Sequence, residues 1–306
     1  MLKWRAVKAA AGTRGFGGDS QAWRGGLWAV RFRLVTTAPA APVVLPSLED
    51  LGRNLLQVTP FQRCWSILRP VACVAAYFAF ASQGWWVPAV LAVAGLMFIT
   101  YISTSHDLLH RTLGFSRRAN EILLAVIEML VLRSGHAFRF THLHHHRHFP
   151  DPDDVEGAVA RLPWWQALLS GVGNQSRLFV WAWRRASDGD RAWMAVEAAW
   201  AIAVVVASVL LLPRSHVLFV YVLLVVTSSW LYPLATVWIP HRAGGANTLT
   251  QTHAVRGRLV PELLLQHTYH LEHHLYPAVP SYHWQELARR LDPFLRSSGV
   301  HPVITP

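Results

Sequence analysis

Seventeen of the 306 residues are histidine, and most of them fall in three clusters. The segment SHDLLH places His106 and His110 four residues apart. The segment THLHHHRH offers His142, His145 and His146 at i, i+3 and i+4, and HTYHLEHHLYP repeats that spacing at His270, His273 and His274. Residues three and four apart share a helix face, so each cluster presents its imidazoles to a common point. Eight imidazoles suffice for two metal ions, and imidazole suits iron, zinc, copper or nickel. Other metal motifs do not fit. None of the eight Glu has a His three residues on, as carboxylate di-iron bundles require. There is no HExxH, and HxxEH fails at Tyr269.

The neighbours of these boxes are less specific. His144 and His148 point away from the 142/145/146 face, and such a His-rich run also binds metal adventitiously. His267 shares a stripe with His270 and His274 and reads as an extra ligand or a group behind the ligands. His216, His283 and His301 have no partners in the pattern and read as bystanders. Carboxylates commonly orient metal-bound imidazoles. Asp107, Asp151 and Asp153 are the candidates for that role, with Glu272 beside the third box; each reads equally well as a helix cap or turn residue.

These boxes need elements to bring them together. The chain is 53% hydrophobic and 15% charged, with a mean hydropathy of +0.26, whereas soluble domains carry about 25% charged residues. Apolar runs cover about 70–82 and 85–103, then 193–212 and 216–239, near the roughly 20 residues that span a bilayer. The turns inside each pair, SQG at 82–84 and PRS at 213–215, are almost uncharged. The other ends carry Arg111, Arg117, Arg118, Arg133, Arg139 and Arg147, then Arg242, Arg256, Arg258, Arg289 and Arg290. The positive-inside rule makes that side cytoplasmic. Box one directly follows the second run, box two lies in the same segment, and box three follows the second pair, so all three meet at one membrane face. The stretch 122–132 contains Glu128 and is too short to span; it is expected to be interfacial or re-entrant. Pro233, near Thr227, Ser228 and Ser229, is expected to kink the fourth run, either opening a pocket or serving packing. The fold expected over 46–306 is all-α and integral to the membrane. It has four transmembrane helices in two hairpins, an interfacial helix and a cytoplasmic helical cap carrying the boxes.

The formal charge is +11, of which +6 falls on residues 1–40. Residues 1–45 are basic, Gly/Ala-rich and end in a Pro/Ala stretch, and are expected to be disordered or weakly membrane-associated, or to arise from an upstream start codon. No basic face with interleaved aromatics appears elsewhere, which argues against nucleic acid. The two cysteines, Cys64 and Cys73, form no framework and are consistent with a reducing compartment. A metal transporter would need ionisable groups inside the spans, and only Glu197 qualifies.

The boxes HDLLH, HLHHH and HLEHH resemble the membrane fatty acid desaturase superfamily, over roughly residues 65–290. The Pro-Asp-Pro-Asp at 150–153, IPHR ending in Arg242, THAVRG at 252–257 and HHLYPAVPSYHW at 273–284 are similar to the β-carotene hydroxylase and ketolase branch, although acyl desaturases share EHHLYP. The resemblance implies a histidine-ligated di-iron enzyme that uses O2 on C–H bonds of a lipid-soluble substrate. It also implies His241 as a ninth ligand. Carotenoid β-ring hydroxylation is the expected reaction, with desaturation of a fatty acyl chain as the alternative. Two cysteines are too few for an iron–sulfur cluster, so electrons are expected from a separate ferredoxin or similar donor, which a basic cytoplasmic face would attract. The expected setting is a bacterial cytoplasmic membrane, with the metals on the cytoplasmic side.

Overall fold

A computed structural model of the protein describes residues 43–306. The basic segment expected at 1–45 lies outside them except for its last three residues. Of these, Val43 and Leu45 pack against a buried cluster around Trp284 and Leu287.

Among the described residues, four helices are long and apolar enough to cross a membrane: Arg53–Ser82, Trp86–His110, Asp188–Leu211 and Val217–Trp238. The first is longer than its apolar run, because a capping box starts its main helix well before Pro70. Thr59 accepts from the Gln62 backbone N–H, Gln62 accepts from that of Thr59, and Pro60 occupies the first turn. The third starts at a Ser187 cap with Asp188 and Asp190 in its first turn. The second span is the most enclosed and the third the most exposed of the four. Antiparallel pairing in two hairpins puts His110, at the end of the second span, and His241, just past the fourth, at the same membrane face.

Two of the spans are not regular. The second widens into a π-turn at Thr100–Thr104, and the Leu96 carbonyl just before it accepts from both the Thr100 backbone N–H and, at 2.6 Å, the Thr100 hydroxyl. The fourth is α-helical over Val217–Ser229, breaks, and resumes as a π-turn at Pro233–Trp238. Pro233 has no N–H to donate, which accounts for the break. The two irregular stretches face each other: the Tyr101 and Tyr232 rings are 4.2 Å apart, and the Thr236 and Tyr101 hydroxyls 3.0 Å apart.

The short apolar stretch takes the re-entrant form. It lies in a helix, Arg117–Leu130, that turns back through Gly135–His148, the helix of box two. The Tyr221 hydroxyl donates to the Leu130 carbonyl at 2.6 Å, and the Trp200 indole to the Met129 carbonyl at 3.2 Å. Trp200 is twelve residues into the third span, so the tip reaches roughly 18 Å from the metal face at 1.5 Å per residue. Without water there, the last carbonyls of a helix need such partners. The tip also holds a bidentate ion pair, Arg133 to Glu128 at 2.6 and 2.7 Å, with the guanidinium 4.7–4.9 Å from the Tyr101, Phe138 and Tyr232 rings. Ring faces and carboxylate together compensate a charge that would be costly alone.

Past the fourth span the chain forms a cap. Two short strands pair in parallel, Val255 with Val303 and Arg256 with Ile304. The short helix His270–Leu275 carries box three, and the helix Trp284–Ser297 packs beneath it through buried Leu287 and Leu291. The surface helix Gly171–Arg185 touches the break in the fourth span at Gly171, where a Cβ would lie 1.8 Å from the Trp230 carbonyl oxygen. At Gly173 a Cβ would meet nothing within 4 Å. Gly171→Ala is therefore expected to destabilise the protein by about 1–3 kcal/mol through overpacking, while Gly173→Ala does not. Thermal unfolding in detergent checks the pair.

Candidate metal centre

Nine imidazoles meet where the second span, the re-entrant hairpin, the end of the fourth span and the cap converge. They fall into two sets. One ligand atom from each of His106, His110, His142, His146 and His273 lies within 4.8 Å of the others, and the same holds for His145, His241 and His274. His270 joins the second set, with its Nε2 3.2 Å from that of His241 and 3.1 Å from that of His274. Box one stays whole in the first set, whereas the i, i+3, i+4 spacing divides boxes two and three between the sets rather than presenting each to one common point. His142 and His146 face one and His145 the other, while His273 is separated in the same way from His270 and His274.

Proton positions show what this arrangement fits. The His241 Nδ1 lies 2.7 Å from the Val237 carbonyl, which only accepts, so that nitrogen carries the proton and Nε2 is a bare lone pair. That single lone pair faces three other imidazole Nε2 atoms at 2.9–3.2 Å. A hydrogen bond could satisfy one of these approaches, whereas a cation satisfies all of them. Imidazole–metal bonds of about 2.0–2.1 Å put neighbouring donor atoms about 2.8–3.4 Å apart, which is the spacing seen. In the first set, both nitrogens of His106 and the Nε2 of His110 are buried with no hydrogen-bond partner among the described residues. Such orphaned polar atoms cost about 1–3 kcal/mol each unless something binds them. Burial, and then repulsion from neighbouring imidazoles, holds His146, His241, His270, His273 and His274 well below the ordinary imidazole pKa. Neutral imidazole is the form that ligates a metal. Burial also opposes charge on His145, but the Asp154 and Glu156 carboxylates outweigh it and raise that pKa.

The carboxylates that orient the rings differ from those expected. Asp154 accepts from His145 Nδ1 at 2.7 Å and Glu156 from His142 Nδ1 at 2.9 Å. Both come from the turn between box two and the helical turn Gly157–Arg161. Asp154 faces inward because it also accepts the backbone N–H groups of Glu156 and Gly157, and its carboxyl is held below the usual range despite burial. The three aspartates read from sequence do not touch the two sets. Asp107 accepts from the Ser281 N–H at 3.0 Å, the Ser281 hydroxyl at 2.7 Å and the Thr112 hydroxyl at 3.1 Å, which ties box one to the cap. Asp151 is exposed, and Asp153 is exposed beside His144. Glu272 pairs with Arg256 at 2.6 Å rather than with an imidazole, and Arg256 in turn grips Asp292.

The remaining histidines separate cleanly. His267 is half-buried against His270, its ring 4.9 Å away, and desolvation and then His142 push its pKa down to about 4. It lines a cavity rather than joining either set. His283 donates to the Gln57 carbonyl, His216 lies against Trp86, and His301 is exposed. His136, which the boxes do not include, sits between Glu197 and Glu121 at 2.7 and 3.1 Å, so Glu197, inside the third span, has a structural partner.

The cavity is about 600 Å³ and runs between the second and fourth spans beside their irregular turns. It extends from Ala94 and Ser228 to Pro240, His267 and Thr268 at the edge of the metal sets, with Met97, Phe98 and Leu231 among its mostly apolar walls. The break at Pro233 therefore borders a pocket. Removing an orienting carboxylate typically costs 10–100-fold in metal affinity. Asp154→Asn and Glu156→Gln are accordingly expected to lower bound metal roughly tenfold or more, while Asp151→Asn leaves it unchanged. Metal analysis of the purified variants after dialysis checks this.

Comparison with known proteins agrees with this geometry. Among curated proteins, the chain is similar to the sn-1 oleoyl-lipid 12-desaturase of Picosynechococcus sp., at 24% identity over 173 residues. That alignment covers 53% of this chain and 48% of the relative, so it spans about half the relative's length. Neither comparison supports the carotenoid reading of the C-terminal motifs. The profile of the family described as fatty acid desaturase matches residues 83–305, which include all nine imidazoles, and the chain belongs to that family of membrane oxidoreductases.

Proposed function

We propose that the protein is a di-iron, O2-dependent desaturase of fatty acyl chains. The observation that carries this reading is an apolar cavity that reaches His267, whose ring packs 4.9 Å from that of His270 in one of the two sets of mutually facing imidazoles. Its volume of about 600 Å³ suits an alkyl chain lying between the second and fourth spans. The similarity to an acyl-lipid desaturase favours an acyl chain over a carotenoid ring.

His106, His110, His142, His146 and His273 would hold one iron, and His145, His241, His270 and His274 the other. When bound, the irons supply O2 activation and removal of hydrogen from an unactivated carbon. The protein's own part is to hold and exclude. Asp154 and Glu156 keep protons on the Nδ1 atoms of His145 and His142, leaving each Nε2 for metal. Apolar cavity walls keep water away and hold the chain extended, so that adjacent carbons face the centre in turn. Overall, two hydrogens leave neighbouring carbons, and O2 takes these together with two protons and two electrons from a donor to give two waters. A separate ferredoxin-like protein would supply the electrons. The arginines around the metal face support a cytoplasmic placement, opposite the sparsely charged turns at 82–84 and 213–215.

Expression with a donor system in cells that make saturated and monounsaturated acyl lipids should yield new double bonds. Unchanged acyl chains in those cells, together with hydroxylated or oxo products in β-carotene-accumulating cells, would overturn the acyl reading. His145→Ala should abolish product formation and His283→Ala should not. Ala94 lies twelve residues before His106, roughly 18 Å along the helix, at the far end of the cavity. Ala94→Phe should therefore shift product toward shorter chains, which the fatty acid profile checks.

A further inference from the structure

The cavity between the second and fourth spans is walled on its inner side and open on its outer side. Met97 and Tyr232 line the inner wall and are only 3% and 7% exposed. Leu231, Ile239 and Val303 also line the cavity, yet they are 54%, 57% and 52% exposed. Ala94 and Ala235 line it and are exposed as well. Residues that face a cavity and the outside at once form the edges of an opening. Leu231, Ala235 and Ile239 recur every four residues along the fourth span, and Ala94 stands on the second. Leu231 and Ala94 lie ten and twelve residues before His241 and His106, so this end is roughly 15–18 Å from the metal face at 1.5 Å per residue. An opening at that depth faces hydrocarbon rather than water.

We propose that this opening is a lateral slot through which an acyl chain enters while still esterified in a membrane glycerolipid, with the anionic headgroup held by Arg242. The proposal rests on reading the cavity as an acyl-chain site. It narrows the source of the chain to the bilayer, in place of a water-soluble carrier such as a coenzyme A thioester. The rim of the slot continues the lipid-facing surface of the spans. On the cap, Leu264 borders the cavity, and Leu259 and Leu263 beside it are exposed. Val303 faces the cavity while its neighbour Ile304 is turned outward and exposed, as alternation along a strand requires. An apolar fringe of this kind beside a basic residue suits the interfacial layer of a bilayer and is costly in water. Imidazole and guanidinium groups lie at the cap end of the slot. His253 lines the cavity there, and the Arg242 Nε donates to its ring at 3.1 Å. Arg242 is exposed and pairs with no carboxylate among the described residues, which leaves its outer N–H groups for a lipid phosphate. A lipid anchored there lays its chain sideways through the slot, with the tail toward Ala94.

The test places the metal-loaded protein in vesicles containing phosphatidylglycerol with a diazirine at the end of one acyl chain. The same acyl group is supplied from water, in a parallel sample, as a coenzyme A thioester. After irradiation, labelled peptides are mapped by mass spectrometry. The expected label falls on the cavity-lining segment 94–102 and comes from the vesicle lipid. Filling the slot edge with Ala235→Trp or Val303→Trp should lower it roughly tenfold. Ile304→Trp, on the outward side of the same strand, should not, and bound metal checks that each variant is folded. Label from phosphatidylglycerol should exceed that from phosphatidylcholine about fivefold, and Arg242→Gln should remove the preference. Cavity label from the thioester alone, label equal in wild type and both slot variants, or label equal from the two lipids would overturn the proposal. So would a dimer in native mass spectrometry that Ala235→Trp reduces to one chain, because the slot would then belong to a second copy. A labelled cavity with no new double bond in any host lipid would keep the slot and overturn the desaturase reading instead.

Discussion

Nine imidazoles with ring nitrogens turned toward one another crowd together unless cations lie between them, and the rest of the structure works against that crowding. His241 illustrates the constraint, with one lone pair and three imidazole nitrogens within 3.2 Å. Such a set persists only when every ring is held from behind. Asp154, Glu156 and the Val237 carbonyl hold three rings directly. The others are held by the elements that carry them. Asp107 locks box one to Ser281, and Arg256 locks box three to Asp292 through Glu272. The charged and polar residues of the cap thus act on the metal sets at one remove, by fixing helix ends.

The same logic explains the irregular spans. A regular helix through residues 86–110 keeps a constant angle per residue, and the π-turn at Thr100–Thr104 inserts a local change just before His106. A matching π-turn at Pro233–Trp238 precedes His241. Each span therefore changes its helical phase within a few residues of its ligand, and the widened backbone on the inner side borders the cavity. Site and pocket arise from the same departure from helical regularity.

Much of this was legible in the residues. Spacing within the boxes assigned eight imidazoles to shared faces, and span counting placed the boxes at one end of the bundle. His241 is a single histidine with no spacing partner, so only its resemblance to a known pattern pointed to it. The orienting carboxylates were misplaced because FPDPDD offers three aspartates in four positions. Choosing Asp154 requires knowing that its side chain caps the turn at Gly157 and is thereby turned inward. The helix start at Pro60 was missed because apolarity, rather than the Thr59–Gln62 capping pair, set the expected edge. Glu197 and Glu128 looked anomalous in apolar surroundings until their partners were in view: His136, 61 residues earlier in the chain, for Glu197, and Arg133, brought back by the hairpin tip, for Glu128.

The re-entrant hairpin has a bearing on biogenesis. Its tip carbonyls at Met129 and Leu130 are satisfied by Trp200 and Tyr221, which lie 71 and 91 residues later in the chain. When the hairpin leaves the ribosome these partners have not been made, and its Glu128–Arg133 pair gives it little reason to enter lipid alone. It can settle only after the third and fourth spans have inserted. The box-two histidines therefore reach their final depth late, and metal acquisition becomes the closing step of assembly rather than an event on the nascent chain.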